Sequence, residues 1–463
     1  MTGAADLILC ALRDVLGDSL LALQLDDRAP PFAERLAEAG LGLPGDAALR
    51  LGLARLLAAS LPDARLAASR RPLLPRIASL TPAHPRRRGA ELDAAASDED
   101  SSDLEAFLDR LRIDRREETF LAACVDLSDR VPFPTTSELL SAIAEWILRR
   151  ALAAALARGP APAGPVTVVG MGKIGGREFS YHSDLDLVFL VEGGTDEIHR
   201  ASRAAQRLVH YLSTMTGAGV AYAVDVRLRP SGHQGMLVTS FDAFRRYQLE
   251  RADTWEHLAL VRARALAGDR QRADRMLHEV RTALAARAQS PWGYAAEMRA
   301  RVERQRGRER PGEVAVKTGP GGLMDLDFLA AGAFLELGHP PAGLPSVEGL
   351  LRAAVGGPAV DELLTAYHRL RVVEARARLL AGRSLEVLEL RGAAAPILAA
   401  LCGHRADPDG LEKEVGAHRR AIRRAFRAVV EAGTVRRLEE LGPAGAGPIE
   451  PAGDGPPEPD PTA

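Results

Sequence analysis

Val166-Thr-Val-Val-Gly-Met-Gly-Lys-Ile-Gly-Gly-Arg-Glu-Phe-Ser-Tyr-His-Ser-Asp-Leu-Asp-Leu-Val-Phe-Leu190 is the stretch that decides the fold. It opens as a β-branched strand, breaks at Gly170, Gly172, Gly175 and Gly176, and resumes as a second strand carrying Asp184 and Asp186. Side chains alternate along a strand, so the two carboxylates share a face while Leu185, Leu187 and Phe189 point the other way, into a core. Their Cα atoms are expected about 6.5 Å apart. Two bare carboxylates at about 4 Å repel by about 4 kcal/mol at a surface-like dielectric. A divalent cation removes that penalty, and hard oxygen ligands with room for substrate phosphates suit Mg2+. Two acids at a solvated strand end would be the plain alternative; the glycine turn before them favours the metal.

The chain after this stretch adds a third acid. Ile198 to Met215 has helical spacing and ends at Gly217 and Gly219. Ala221 to Arg229 then alternates as a strand, with Asp225, Arg227 and Arg229 on one face and Val224, Val226 and Leu228 on the other. Three carboxylates on neighbouring strands are what two-metal phosphoryl or nucleotidyl transfer requires. Gly172 and Lys173 lie in the glycine turn, whose backbone amides can cradle a phosphate. Arg227 and Arg229 on the acid face can neutralise phosphates, or pair with Asp225; both readings stand together. His182, beside the acids, reads as a turn residue rather than a base.

Length and composition set the frame. A chain of 463 residues is too long for one compact domain. With 46% hydrophobic but only 4% aromatic residues, its cores are expected to be Ala/Leu-rich helix packing. A net charge of −2 gives no global attraction to nucleic acid. Cys10, Cys124 and Cys402 are too scattered for a disulfide framework or a zinc site, and point to a reducing cytoplasm. No apolar run approaches a membrane span, and the first residues lack the basic lead of a signal peptide.

Residues 1–80 read as an N-terminal helical segment, with helical spacing over 6–24 and 46–60. Residues 81–104, with Pro85-Arg-Arg-Arg88 and Ser97-Asp-Glu-Asp-Ser-Ser-Asp103, read as a flexible linker. Residues 105–158 are helical, and Thr135-Thr-Ser-Glu138 has the pattern of a capping box. The sheet-bearing core spans 159–270, within which Phe241–Glu250 and Trp255–Ala267 have helical spacing. Residues 271–441 form a C-terminal helical bundle, and the Gly/Pro/Ala-rich 442–463 a disordered tail. The fold class is therefore α+β: a small mixed sheet flanked by helical bundles, mostly α overall.

The spacing of a glycine turn, ten residues, then Asp-apolar-Asp-apolar resembles the polymerase-β-like nucleotidyltransferase superfamily, with Lys173 where that pattern often has Ser. A longer likeness is sharper. Gly170-Met-Gly-Lys-Ile-Gly-Gly-Arg-Glu-Phe179 with Ser183-Asp-Leu-Asp-Leu187 resembles the glutamine synthetase adenylyltransferase / adenylyl-removing family. So do Val224-Asp-Val-Arg-Leu-Arg-Pro-Ser-Gly232, Trp255-Glu-His257, Leu260-Val-Arg-Ala-Arg264 and Lys317-Thr-Gly-Pro-Gly-Gly-Leu-Met-Asp-Leu-Asp-Phe328. These blocks and the helices between them cover residues 105–440.

The resemblance implies Mg2+-dependent transfer of AMP from ATP to a tyrosine of glutamine synthetase, or its phosphorolytic removal. It implies Asp184, Asp186 and Asp225 as metal-binding acids, with Gly172, Lys173, Ser183, Arg227, Arg229, Arg262 and Arg264 on the nucleotide and its phosphates. Arg262 and Arg264 read equally well as helix-surface ion pairs. The partners implied are ATP, glutamine synthetase and a PII-type signalling protein, with no nucleic acid and no membrane, in the cytoplasm. Residues 217–232 and 254–264 are similar to the AMP-attaching half of the family, while Gly170–Gly176 resembles either half and slightly favours the removing one; the later blocks weigh more, so attachment is the expected direction. The family pattern has two such halves and this chain one, which predicts a one-way modifier. Ala315 stands where an Asp is usual, and Leu326-Asp327-Phe328 where Ile-Glu-Phe is usual. Lys317 and Gly319–Gly322 read as a packing turn between domains. A non-catalytic nucleotide-binding regulatory module is the reading from another class, and a degenerate module has no need of three mutually repelling acids.

Overall fold

The computed structural model describes residues 2–441, apart from 18, 96–100, 161, 231, 233, 234, 288, 289 and 339–342. The expected tail at 442–463 lies outside the described residues. The described residues are mostly helical, with a small five-stranded mixed sheet and a two-stranded antiparallel pair, Glu313–Val314 with Leu388–Glu389, the α+β class that the sequence predicts. No helix among the described residues is long and apolar enough to cross a membrane.

Five strands build the sheet: β1 Thr167–Gly170, β2 Leu185–Val191, β3 Val224–Asp225, β4 Val238–Ser240 and β5 Arg264–Ala267. β2 is central. β1 runs antiparallel beside it, with Gly170 opposite Leu187. On its other edge β3 and β4 follow one another, both parallel, with Asp186 opposite Asp225 and Phe189 opposite Val238. β5 closes the outer edge of β1, antiparallel.

The alternation of β2 divides the molecule. Leu185, Leu187, Phe189 and Val191 enter a core built with the N-terminal helices, whereas Val188 and Leu190 enter a second core with the C-terminal ones. Asp186 therefore shares its face with Val188 and Leu190 and looks toward the C-terminal helices. Residues 1–80 and 105–158 pack into that first core as one body, Leu53, Phe107 and Ile147 among its members.

Four local expectations need correction. The stretch 81–104, read as a linker, carries a helix, His84–Ala94. Leu92 is buried and Arg88 donates to Glu118, so one face of this helix is packed and paired, while Arg86 and Arg87 face solvent. The helix at 133 starts at Phe133 after Pro132 with Pro134 in its first turn, and no capping box forms at Thr135. The strand expected over Ala221–Arg229 is paired only at Val224–Asp225. Beyond it the chain bends, because the Asp225 carboxylate accepts the backbone N–H of Arg227 at 2.8 Å. Lastly, the helix expected over Trp255–Ala267 stops at Leu260 and its remainder becomes β5. The open edge of β1 needs backbone partners, and that need overrides the helical preference of Arg-Ala-Leu-Ala.

Candidate active site

The glycine turn sits where β1 hands over to β2. Met171 donates its N–H to the carbonyl of Asp186 at 2.9 Å, fastening the turn to the second acid. Gly172 has φ +53°, and a Cβ there would stand 3.0 Å from Asp186 Oδ2. A Cβ on Gly175 would come within 2.0 Å of the Arg262 carbonyl oxygen. Glycine is required at both places by close approach, with the turn pressed between the acid and the segment that leads into β5.

The acids stand in graded exposure. Asp184 is exposed, and Asp186 and Asp225 are half-buried on paired strands. Burial, reinforced by the neighbouring charges of Asp225 and Asp184, raises the Asp186 carboxyl to about 6 even though Lys317 and Lys173 pull it down. Asp225 is engaged by its own strand: Arg227 donates Nε to Oδ2 at 2.8 Å and to Oδ1 at 3.0 Å, and Nη2 adds a further bond. Among the described residues, no three His, Cys, Asp or Glu side chains are gathered tightly enough to form a ready ion cage. The chemistry of the donor set nonetheless fits a hard divalent cation. Burial disfavours the charged form of Asp186, with repulsion from Asp225 and Asp184 adding to it, and a bound divalent cation would offset both.

The other expected site residues fall into two groups. Arg227 is on the acids, through Asp225, and Arg229 folds back to the carbonyls of Val226 (2.7 Å) and Gly235 (3.3 Å). The remainder surround the glycine turn. Lys173 Nζ reaches both oxygens of Glu374, each at 2.9 Å, on the helix Pro358–Ala381. Burial lowers the Lys173 ammonium to about 7 against the pull of Glu374. Burial alone would raise Glu374, but Lys173, Arg378 and Arg371 together bring it down to about 2.

Arg262 is buried between Glu178 and Asp327, and Glu178 also accepts from Tyr367 Oη at 2.8 Å and from the Val347 N–H at 3.2 Å. Arg264 pairs with the fully buried Glu145 and donates to the carbonyls of Gly175 (3.0 Å) and Ile174 (3.2 Å). Ser183 Oγ accepts from Arg378 at 3.3 Å. Lys173, Arg262 and Arg264 thus brace the turn through protein partners, whereas Ser183, accepting from Arg378, keeps its own O–H to donate. His182 stays neutral, since burial and the cations Arg115 and Arg378 lower its imidazole to about 4.

Lys317 is the residue that sequence reasoning left aside. It is exposed, its positive charge acts on Asp186, and it directly precedes the turn that opens the helix Leu323–Leu337. Its block was visible in the sequence, but nothing along the chain brings residue 317 to residue 186. Within that same block Asp325 is consumed structurally, by Arg299 and by the Gly321 N–H at 3.1 Å.

The family model for glutamate-ammonia ligase adenylyltransferase matches residues 52–303, and that for GlnD PII-uridylyltransferase matches residues 295–430. A bifunctional glutamine synthetase adenylyltransferase/adenylyl-removing enzyme of Thioalkalivibrio sulfidiphilus is 35% identical over 280 residues, 54% of this chain and 29% of that protein. The enzyme of the same name from Rhizobium meliloti is 33% identical over 356 residues, 71% of this chain and 36% of that protein. That of Nitrosococcus oceani is 34% identical over 302 residues, 58% of this chain and 31% of that protein. The chain spans about a third of the length of these curated relatives. The first model covers more than half of the chain, including the whole sheet, the glycine turn and all three acids, and on that ground the chain belongs to the glutamate-ammonia ligase adenylyltransferase family.

Proposed function

We propose that this chain is a Mg2+-dependent nucleotidyltransferase that moves AMP from ATP to a tyrosine of glutamine synthetase. The observation that carries the reading is the pairing of β2 with β3, which sets Asp186 level with Asp225 beside the glycine turn, in a chain of this family. Asp184 and Asp186 would hold the cation, joined by Asp225 once Arg227 releases it. Bound there, the cation neutralises the polyphosphate and polarises the α-phosphorus.

The chain's own residues supply the rest. In the transfer, the phenol oxygen bonds to the α-phosphorus, the bond to the bridging oxygen of the β-phosphate breaks, and pyrophosphate leaves. A phenol of pKa about 10 is only about one part in a thousand ionised at pH 7. That ionisation would come either from the charge of the cation or from Asp225 acting as general base in place of cation ligand. Lys317 and Arg227 stand nearest the acids as exposed cations for the departing phosphates. The C-terminal helices, which match the uridylyltransferase model, are the surface offered to a PII-type protein. The setting is the cytoplasm, where ATP and glutamine synthetase meet.

The experiment supplies labelled ATP and Mg2+ to unmodified glutamine synthetase, and separately orthophosphate to the adenylylated form. Label is expected on glutamine synthetase in the first mixture. ADP release in the second with no incorporation in the first would reverse the direction, and neither would remove the acceptor.

A further inference from the structure

A cavity of about 470 Å³ opens beside Asp184, between the helix Leu104–Asp126, the segments leading into β2 and β3, and the loop that follows the helix Pro358–Ala381. Three arginines line it: Arg115 and Arg116 from the first helix and Arg383 from the loop. Arg115 lies over the Tyr222 ring at 5.4 Å, and its Nε is buried without a hydrogen-bond partner. Among the described residues none of these three guanidinium groups is ion-paired, whereas Arg227, Arg262 and Arg264 each hold a carboxylate.

The other charges around the cavity leave that excess standing. Among the described residues Asp184 is the one carboxylate on its wall, and a bound cation would claim it. Asp63 feels the charges of Arg116 and Arg115, but the Ser60 hydroxyl is bonded to it and burial raises its carboxyl. His182, also on the wall, is neutral, and Arg378 behind Ser183 is paired with Glu374. Guanidinium groups that converge without a carboxylate suit an anion supplied from outside the chain.

The place of the cavity says which anion. Gly172, Lys317 and Arg227, the groups on the phosphate side of the site, do not line it. It meets the acids through Asp184, whereas the glycine turn presses on Asp186. In a displacement at phosphorus the attacking and leaving oxygens stand in line on opposite sides. The acceptor therefore comes from the side away from the departing phosphates, and Asp184 is where that side meets the cavity. We propose that this cavity receives the acceptor segment and that Arg115, Arg116 and Arg383 select one whose tyrosine is flanked by carboxylates. The proposal rests on the nucleotidyltransferase reading above and adds the chemistry by which the chain recognises its protein substrate.

The test is fluorescence anisotropy of a labelled peptide, a tyrosine flanked by Asp and Glu, titrated with the full chain in the absence of nucleotide. The same peptide with Asn and Gln in place of the acids is the comparison. The acidic peptide is expected to bind about tenfold or more tightly, the scale of one charge-assisted contact. Replacing Arg116→Ala together with Arg383→Ala should abolish that preference. The same double variant should keep its affinity for ATP with Mg2+, read by calorimetry, within about twofold. With glutamine synthetase as acceptor, it should raise the KM for that protein by about tenfold. Equal binding of the two peptides, a double variant that keeps the preference, or an unmoved KM for glutamine synthetase overturns the proposal. A double variant that loses ATP affinity by about tenfold overturns it as well, and makes the cavity a phosphate site. Where the double variant does not fold, Arg383→Ala alone, in an exposed loop, makes the same comparisons. Selective binding of the acidic peptide by a chain that transfers no AMP leaves the cavity its role and removes only the reading of the reaction. AMP transfer to glutamine synthetase without any preference between the peptides removes only the role of the cavity.

Discussion

Asp186→Asn is expected to make the metal-free chain more stable at pH 8 while abolishing AMP transfer. Burial and the adjacent carboxylates raise the Asp186 carboxyl from 3.8 to about 6. Between those values the folded chain keeps a proton that the unfolded chain has lost, so this group's stability contribution falls as pH rises through about 6. At about 1.4 kcal/mol for each pH unit separating the two values, the full loss is about 3 kcal/mol. Asparagine has no proton to lose. The gain of the variant over the native chain should therefore be under about 1 kcal/mol at pH 4 and about 3 kcal/mol at pH 8. Urea denaturation in EDTA at the two pH values measures it, and the difference between proteins cancels every other titrating group. Mg2+ with ATP should then stabilise the native chain and not the variant, because a ligand adds stability only to the state that binds it. A variant no more stable than native at pH 8, or one whose gain is the same at pH 4, would refute the account of a strained, cation-seeking carboxylate.

Three further outcomes follow from the network around the glycine turn. Arg262→Ala leaves the buried Glu178 and the Asp327 carboxylate without their shared cation, and is expected to cost about 3–5 kcal/mol in a denaturant melt. Lys173→Ala should lower the melting temperature through loss of the Glu374 pair while the KM for ATP stays within about twofold, a change of about 0.4 kcal/mol in binding. A large rise in KM with an unchanged melt would return Lys173 to the phosphates. Arg227→Ala removes a largely exposed partner of Asp225, so the melt should move by under about 1 kcal/mol. Any loss of transfer beyond that marks Arg227 as a phosphate contact, read from KM and kcat on the same protein.

The sequence by itself determined the central strand and what it carries. Alternation alone put Leu185, Leu187 and Phe189 in a core and Asp186 on the opposite face of β2, with Asp184 just before the strand, and the packing of the apolar residues follows it. The glycines of the turn were legible for the same local reason: a backbone that must run against Asp186 and the Arg262 carbonyl has no room for a side chain. The order of the family's blocks was legible too, because it is written along the chain.

Only the tertiary structure decided which charged side chains are free. In sequence Lys173 looks like a phosphate ligand, and Arg262 and Arg264 read equally as phosphate ligands or ion pairs; each is met by a carboxylate far along the chain: Glu374, Glu178 with Asp327, and Glu145. An ion pair between residues so distant leaves no periodic trace. The conversion of Arg264–Ala267 from helix to strand has the same origin, since the unpaired edge of β1 that requires it lies about a hundred residues earlier. Helical spacing could place Arg115 and Arg116 on their own helix, but could not bring Arg383 to the same cavity beside Asp184. Local pattern fixes which face a side chain takes; what waits on that face is set by how the two bodies close over the sheet.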